Sequence, residues 1–427
     1  MAKATIILPE LHTGQSRLLG HQRRLNAVRC GRRWGKTKFL EWLAEKNAAN
    51  GLSVGIFAPE YKQLAEPWDH IREVLDPIVS GANRNDGTIK IKGGGKIDFW
   101  ALNDNELAGR GREYDLVLGD EMGFTKTPQM LDIWFKSIKP TMLTTKGIAW
   151  MFSTPNGLDP ENFFYSACQN PDFGFQEFHA PTSTNPYVDA IELERERLRN
   201  HPLVFRQEYL AEFIDWSGVA FFATEKMLLD GQAVPYPEKC DGVFAVIDTA
   251  IKGGKEHDGT AVIYCAVNHH FGTPLVILDW DIVQIDGASL DLWMPSVFSR
   301  LDELASATGA RHGVIGTWIE DAAAGTILLQ QGVNLDWNIH RIDSKLTAMG
   351  KDERAISVSG YFHQEKMKIS HWANDKMMNF KGSTRNHLLT QLAQFRIGDK
   401  DAHKRSDDLL DCAVYAMAIA LGNNRGF

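Results

Sequence analysis

The sequence comprises 427 residues, of which 44% are hydrophobic and 23% are charged. At roughly 150 residues per domain this length predicts two or three globular cores, which excludes disorder as the main state of the chain. No run of eighteen apolar residues occurs and the N-terminus lacks the features of a secretory signal, so we expect a cytoplasmic protein that does not span a membrane. Five scattered cysteines without a Cys-x-x-Cys pair argue against a disulfide framework and against structural zinc.

The net charge of −8 is unevenly distributed along the chain. Residues 1–40 contain nine basic residues against Glu10 alone, a net charge of +8, so the remainder of the chain carries −16. We therefore expect an anionic partner for the N-terminal segment. The phosphates of a nucleotide and the backbone of a nucleic acid are the two alternatives.

In the first half of the chain, apolar runs typical of β-strands alternate with helical stretches such as Lys38–Asn47 and Gln63–Leu75. This alternation predicts an α/β fold with a mostly parallel sheet and helices on both faces. The predicted strands are Leu25–Val28, Ser53–Ala58, Ile97–Leu102, Tyr114–Gly119 and Ile148–Phe152.

The first predicted strand runs into a glycine-containing loop, Cys30-Gly31-Arg32-Arg33-Trp34-Gly35-Lys36-Thr37, with a helix directly behind it. This is the arrangement that a triphosphate needs: backbone amides from Gly31 to Gly35, a lysine for the β and γ groups, and a hydroxyl ligand for Mg²⁺. Cys30 stands where such loops usually carry glycine. The alternative is a Gly-Lys-Thr turn that merely starts a helix.

The apolar strand Tyr114–Gly119 ends in two adjacent carboxylates, Asp120 and Glu121. In a nucleotide hydrolase, the first would hold the water shell of the Mg²⁺ ion and the second would polarise the attacking water. The alternative is that the pair consists of solvated turn residues. Ser153 and Thr154 end the next strand and could lie beside the γ-phosphate. Gln15, ahead of the first strand, has a carboxamide suited to an adenine edge.

The second half of the chain opens with three strands joined by short turns, Val243–Ile247, Thr260–Val267 and Leu275–Ile282. A helix at Leu290–Ala307, the strand Val314–Ile319, the helix Thr326–Gln331, a short strand at Ile339–Ile342 and then helices to the C-terminus follow. This order is that of a ribonuclease-H-like sheet. We predict an ATPase domain at 1–205, a linker at 206–237 and a nuclease-type domain at 238–427.

Several carboxylates of this second block lie at the ends of predicted elements. A two-metal nuclease needs hard oxygen ligands that converge from different elements to bind Mg²⁺ or Mn²⁺. Asp248 ends the first strand, Glu320 and Asp321 end another, and Asp408 and Asp411 begin the helix Ser406–Leu421. The alternative for the helix is that Ser406 caps it and that Asp407 and Asp408 only stabilise its first turn. Asp411 lies on an apolar face, where an unpaired carboxylate would be costly.

Taken in order, these motifs resemble the large terminase subunit of tailed bacteriophages. The similarity runs from about residue 9 to residue 422. It is carried by Leu11–Gln15, Gly31–Thr37, Leu118–Glu121, Ser153–Pro155, Ile319–Asp321 with Gly325, and Asp407–Asp411.

The resemblance implies an N-terminal ATPase joined to a C-terminal nuclease. Gln15 would contact adenine, and Ser153-Thr154-Pro155 would couple hydrolysis to movement. Family members carry Glu or Asp as the mid-domain ligand; Glu320 matches the usual position and Asp321 could substitute.

The same resemblance implies a viral motor that acts in the host cytoplasm. The implied partners are double-stranded DNA, the portal protein of the procapsid and the small terminase subunit, with the chain assembled as a homo-oligomeric ring on the portal. In such a ring Arg110, between Gly109 and Gly111, could reach a neighbour's nucleotide and act in trans. A DNA-facing or solvated Arg110 is the alternative, and Arg32 and Arg33 are competitors that would act in cis.

Two other classes of function compete with this interpretation. One is a P-loop helicase or DNA-stimulated ATPase whose ribonuclease-H-like block binds without cleaving, and metal-dependent DNA cutting would separate it from a nuclease. The other is a structural capsid component that binds nucleotide only for stability. Glu121 disfavours the last class, because a static site needs no carboxylate to orient water.

Overall fold

The structure is a computed structural model that describes residues 6–103, 105–126, 129–216, 221–249, 259–270, 272–285, 289–322, 324–399 and 406–422. By internal contacts the chain divides into two compact units. The first comprises Met1–Leu198 with Pro202–Asp215, and the second comprises Arg199–His201 with Trp216–Phe427. The domain limits predicted from the sequence remain a prediction.

The first unit alternates strands and helices. Its strands are β1 Leu25–Cys30, β2 Ser53–Ala58, β3 Val79–Asn83, β4 Thr88–Ile91, β5 Lys96–Ala101, β6 Leu116–Gly119, β7 Ile148–Ser153 and β8 Gln176–Ala180. The helices up to Glu208 are α1 Thr13–Gly20, α2 Lys36–Ala49, α3 Tyr61–Leu75, α4 Gln129–Ile133, α5 Phe163–Gln169, α6 Ala190–Arg199 and α7 Pro202–Glu208.

Within the described residues the strands of this unit form one sheet in the order β3-β4-β5-β2-β6-β7-β1-β8. In this order the six neighbouring strands β5, β2, β6, β7, β1 and β8 are parallel. The strands β3 and β4 add an antiparallel edge. Because successive side chains of a strand point to opposite faces, each strand contributes to two cores. Ile56 packs with α2 and α3, whereas the next residue, Phe57, packs with α4 and α5. The predicted helices on both faces are confirmed.

The elements of the second unit follow from residue 242. Its strands are β9 Gly242–Asp248, β10 Thr260–Val267, β11 Leu275–Val283, β12 Val314–Ile319, β13 Ile339–Arg341, β14 Met367–Ile369, β15 Met378–Phe380 and β16 Ser383–Arg385. Its helices are α8 Leu290–Ala307, α9 Ala324–Leu335, α10 Ser344–Thr347, α11 Lys351–His363, α12 His371–Asp375, α13 His387–Gln394 and α14 Asp408–Leu421.

The main sheet of the second unit has the order β13-β12-β9-β10-β11-β14. β9, β10 and β11 are antiparallel neighbours, and β12 and β13 run parallel to β9. Helices α8 and α9 pack on one face of this sheet, and α14 packs against β9 and β10. This is the order predicted for a ribonuclease-H-like sheet, so the predicted fold class is confirmed.

Two expectations about the second block are wrong. The segment after Ile342 is not purely helical, because β14 joins the sheet edge beside β11 and a separate hairpin is formed by β15 and β16. A strand of three residues leaves at most a weak periodic signal in the sequence. In addition, α14 begins at Asp408 and not at Ser406. In the part of the chain that the structure describes, we find no helix with the length and apolarity needed to cross a membrane.

Candidate functional site

The predicted phosphate-binding loop lies between β1 and α2, at the carboxyl end of the parallel strands. Gly35 has a φ of 99° and precedes the first helical residue, Lys36. Arg33 also has a positive φ, 59°, so two residues of this loop adopt left-handed backbone conformations. The backbone N–H groups of the first turn of α2 have no partner within the helix and lie at the loop. A helix N-terminus of this kind favours the binding of a phosphate.

Cys30 is buried and is the last residue of β1. The usual glycine is thus replaced at a position that needs only strand geometry. Gly31 needs to be glycine for a different reason, since an added Cβ would lie 2.3 Å from the hydroxyl of Thr182 and 2.4 Å from the carbonyl of Tyr209.

The loop and the end of β6 bring four predicted site residues together. Thr37 Oγ1 donates a hydrogen bond of 3.1 Å to Asp120 Oδ2, which places the predicted hydroxyl and carboxylate of the Mg²⁺ site side by side. Lys36 Nζ lies 2.7 Å from Glu121 Oε1. Glu121 has a φ of 52°, an unusual conformation for a non-glycine residue and one that clusters at functional sites.

Burial and mutual charge control the protonation of these groups. Burial raises the pKa of Asp120 to about 6, and the neighbouring Glu121 carboxylate adds to the rise while Lys36 opposes it. Burial alone would lower the pKa of Lys36, but the carboxylates of Glu121 and Asp120 outweigh it and raise this pKa. Lys36 therefore carries its positive charge at neutral pH.

Ser153 and Thr154 lie at the end of β7, beside the segment that follows Glu121. Ser153 Oγ accepts a hydrogen bond from the amide of Gly123 at 3.0 Å and donates one to the carbonyl of Thr154 at 2.7 Å. Both residues are buried. Ser153 therefore connects the carboxylate-bearing turn to the end of the next strand.

Gln15 is buried beside the loop, and its carboxamide is already engaged. Its Oε1 accepts a hydrogen bond from the amide of His12, and its Nε2 donates one of 3.0 Å to the carbonyl of Gly35. The proposed adenine contact of Gln15 stays a prediction. Sequence reasoning missed His12, whose ring caps α1 through Nδ1 and whose Nε2 lies 3.1 Å from the carbonyl of Trp34.

The arginines proposed for this site occupy different surroundings. Arg32 forms an ion pair with Glu208, a partner that sequence reasoning missed because it lies far along the chain. The carbonyl of Arg33 accepts a hydrogen bond from the side chain of Asn185. Arg110 is exposed, with positive φ angles at Gly109 and Gly111 on either side.

In the second unit, the predicted carboxylates come from three elements. β9 and β12 are parallel with Ile247 opposite Ile319, so Asp248 and Glu320 follow equivalent positions on adjacent strands. Asp408 and Asp411 lie in the first turn of α14, and both are buried. Burial raises the pKa of Asp248, and the nearby charges of Asp411, Asp408 and Glu320 raise it further.

Asp321 is turned away to other partners. Its Oδ1 accepts a hydrogen bond from Thr326 Oγ1 at 3.0 Å, and its Oδ2 lies 3.1 Å from Arg341. Glu320, in contrast, accepts a hydrogen bond of 3.1 Å from the hydroxyl of Tyr415, on α14. The geometry therefore favours Glu320 over Asp321 as the member of this carboxylate group.

Two cations lie against Asp411. Lys351 Nζ is 3.0 Å from its Oδ2, and Arg354 Nη2 is 3.1 Å from its Oδ1. Both come from α11 and went unnoticed in the sequence, although their spacing of three residues places them on one helix face. A further residue missed there is Gln391, whose Oε1 accepts hydrogen bonds from the amides of Leu409 and Leu410. It caps α14 in the place predicted for Ser406.

The chemistry of the Asp248, Glu320, Asp408 and Asp411 set fits Mg²⁺ or Mn²⁺, because all four supply hard oxygen ligands. Among the described residues, however, no group of three or more His, Cys, Asp or Glu side chains is already arranged to hold a metal ion. Both oxygens of Asp411 face cations, Lys351 and Arg354.

Comparisons with known proteins agree with these features. Residues 29–227 match the family described as the terminase large subunit, T4likevirus-type, N-terminal. The large terminase subunit of Thermus virus P23-45 is 28% identical over 251 residues, which cover 53% of this chain and 47% of that protein. That of Escherichia phage T5 is 26% identical over 182 residues, covering 40% and 39%. The chain thus spans about half the length, or less, of these curated relatives.

Solved structures share the fold of the chain. The large terminase of a thermophilic bacteriophage, in complex with ADP, superposes with a TM-score of 0.65 at 12% identity and covers 96% of this chain and 99% of its own. The complex of that terminase with ATP-gamma-S gives a TM-score of 0.61 at 12% identity, with 95% and 98% covered. Over its first unit the chain is therefore similar in sequence to large terminase subunits, and it shares the fold of a solved large terminase, which confirms the resemblance predicted from its motifs.

Proposed function

We propose that the chain is a viral DNA-packaging motor. ATP hydrolysis in its first unit drives double-stranded DNA into a procapsid, and a metal-dependent endonuclease in its second unit cuts concatemeric DNA. The observation that carries this proposal is the convergence of Lys36 and Thr37, from the loop, with Asp120 and Glu121, from the end of β6. The thermophilic bacteriophage's large terminase, whose fold is shared, is known in complex with ADP and with ATP-gamma-S.

Each of these four residues has a task in hydrolysis. Lys36 binds the β and γ phosphates, and Thr37 and Asp120 hold the Mg²⁺ site. The bound Mg²⁺ ion supplies charge neutralisation at the phosphate oxygens. The carboxylate of Glu121 orients the attacking water and accepts its proton, for which its ion pair with Lys36 must first open.

For the nuclease, the acids at the ends of β9 and β12 and in the first turn of α14 support the proposal. Asp248, Glu320, Asp408 and Asp411 would hold two divalent ions, which supply activation of the attacking water and stabilisation of the leaving oxygen. Tyr415 positions Glu320 through its hydroxyl. Asp408 and Asp411 are buried, which strengthens their attraction for cations.

The remaining parts of the proposal concern assembly. We propose a homo-oligomeric ring on the portal protein, with the small terminase subunit as a further partner, acting in the host cytoplasm. Arg110 would then reach the nucleotide of the neighbouring subunit. Its exposure between two glycines with positive φ supports this role, and contacts to DNA phosphates are the competing role.

A second candidate function is a DNA-stimulated ATPase or helicase whose second unit binds DNA without cleaving it. One observation favours it: Asp411 is paired with Lys351 and Arg354 on both of its oxygens. An aspartate paired in this way could stabilise the fold without binding a metal ion.

The test uses purified full-length protein with supercoiled plasmid. The proposal predicts that Mn²⁺ or Mg²⁺ supports nicking and linearisation without ATP, that EDTA abolishes cutting, and that ATP is hydrolysed in separate assays. ATP hydrolysis without cutting under any of these metal conditions would select the second candidate. Cutting without ATP hydrolysis would contradict the motor.

A further inference from the structure

The clearest feature that the proposed chemistry leaves unused is a pair of cations on α11. Lys351 and Arg354 both contact Asp411, one on each carboxylate oxygen. Lys351 also forms an ion pair with Asp407 and so bridges two acids at the start of α14. A predicted metal ligand is therefore neutralised by positive charges that belong to the chain itself.

The two cations differ in how firmly they are held. Arg354 is buried, its guanidinium lies 4.4 Å from the ring centroid of Tyr415, and it donates a hydrogen bond to the hydroxyl of the same tyrosine. If Arg354 moved away, a buried charge would lose the opposite charge beside it, which costs stability. We therefore regard Arg354 as a fixed part of the packing between α11 and α14.

Lys351 is placed so that it can leave. Its side chain is 30% exposed, against 8% for that of Arg354, and it borders a small surface cavity that Gln394 and Ser406 also line. An ammonium on a flexible four-carbon chain can turn outward into water, where it is strongly hydrated. Its departure would expose Asp411 Oδ2 and the carboxylate of Asp407.

Lys351 also acts on the wider carboxylate group. Its charge lowers the pKa of Asp248 and so opposes the rise that burial and the charges of Asp411, Asp408 and Glu320 cause. A divalent ion among these acids would supply the same compensation with twice the charge. Two cations that compensate the same carboxylates repel each other, so the binding of one opposes the presence of the other.

Resting on the proposed nuclease function, we propose that Lys351 is a built-in competitor of the divalent metal. In the resting chain it holds Asp411 and Asp407, and metal binding requires it to swing away. Lys351 thereby weakens metal affinity and keeps the nuclease site closed.

The experiment measures Mn²⁺ binding to the full-length protein by titration calorimetry, and free Mn²⁺ by electron paramagnetic resonance, without DNA or nucleotide. Lys351→Met removes the charge and retains most of the side-chain length. We expect Mn²⁺ to bind about tenfold more tightly to this variant, a gain as large as the smaller of the losses that outer-shell mutations typically cause. Lys351→Arg, which keeps the charge, should bind Mn²⁺ like the parent.

Two controls locate the effect. Lys345→Met removes an exposed lysine from the neighbouring helix α10 and should leave Mn²⁺ affinity unchanged. The gain from Lys351→Met should disappear when it is combined with Asp411→Asn. If Lys351→Met folds poorly, Lys351→Gln takes its place.

The outcomes separate this inference from the proposed nuclease. Unchanged or weaker Mn²⁺ binding by the charge-removing variants overturns the inference, even if the parent protein cuts plasmid. Tighter Mn²⁺ binding upholds the inference on its own evidence, and the plasmid assay then decides the nuclease separately.

Discussion

Lys36 Nζ and Glu121 Oε1 lie 2.7 Å apart, so the loop lysine and the carboxylate at the end of β6 neutralise each other in the proposed nucleotide site. A triphosphate would need both groups for other tasks, because the lysine must face phosphate and the carboxylate must face water. The first two predictions follow from this pair.

Glu121→Gln should lower ATP turnover by orders of magnitude, because the amide cannot accept the proton of the attacking water. ADP binding should be retained or become tighter, since Lys36 no longer pairs with a carboxylate. A coupled ATPase assay and fluorescence titration with a labelled ADP would measure the two effects. Glu113→Gln, at an exposed position, is the matched control. Unchanged turnover in Glu121→Gln would contradict the role of Glu121 as the acceptor of the water's proton.

Lys36→Ala should weaken nucleotide binding as well as turnover, because the phosphates lose their main cationic contact. The same titration compares it with Lys46→Ala, which removes an exposed lysine from the last turn of α2. Equal ADP affinity in the parent and in Lys36→Ala would mean that the nucleotide is bound elsewhere.

Asp248→Asn and Asp411→Asn should each abolish metal-dependent plasmid cutting. Asp248→Asn should also keep or raise the melting temperature of the metal-free protein, because it removes a buried carboxylate that is repelled by Asp411, Asp408 and Glu320. Gel assays with Mn²⁺ and thermal melts in EDTA would check both expectations. Asp302→Asn, an exposed change on α8, should cut like the parent. Normal cutting by both variants would place the metal site elsewhere.

Arg110→Ala should lose ATPase activity only in assembled motors, because an arginine supplied in trans is worth about 10³ to 10⁵ in rate in other phosphoryl-transfer systems. Mixing Arg110→Ala subunits with Glu121→Gln subunits should restore part of the activity, since an intact site can then face an intact arginine. Arg72→Ala, an exposed change on α3, is the control. Full activity of Arg110→Ala in assembled motors would show that the role in trans is wrong.

A stability prediction concerns two buried carboxyls on α2, Glu41 and Glu45. Burial, with help from the charge of Glu41, raises the pKa of Glu45 from 4.5 to about 8. The ring of His70 lies 3.6 Å from Glu41 and 3.7 Å from Glu45, and Lys38 pairs with Glu41. Between pH 4.5 and about pH 8 the folded chain holds a proton at Glu45 that the unfolded chain has released.

Stability should therefore fall as the pH rises from about 4.5 to about 8, with a contribution from Glu45 of up to about 1.4 kcal/mol per pH unit. Glu45→Gln removes the titrating group and should flatten the fall in melting temperature across the neutral range. Glu73→Gln, an exposed change on α3, should keep the slope of the parent. If the melting temperature changed with pH equally in the parent, Glu45→Gln and Glu73→Gln, a neutral, buried Glu45 would be contradicted.

Much of the fold could be predicted because its signals are local. The boundaries of β2, β10, β12 and α8 agree with the sequence to the residue, since each is a sustained apolar pattern between clear turn residues. The strands β14, β15 and β16 were missed because three residues carry at most a weak periodic signal, although the equally short β13 was predicted as Ile339–Ile342. Helix α14 was started two residues early, because its amides are capped by Gln391 and not by a neighbour in the chain.

The sequence by itself determined which residues are candidates for the site and in what order they occur. Lys36, Thr37, Asp120 and Glu121 follow strands whose carboxyl ends must meet at one edge of a parallel sheet, and that rule needs no coordinates. What those side chains touch was decided only by the tertiary structure. The pairing of Lys36 with Glu121 and the capture of Asp411 by Lys351 and Arg354 join segments that are tens of residues apart. Such contacts depend on burial and charge in three dimensions, because a distant partner leaves no pattern around a residue in the chain.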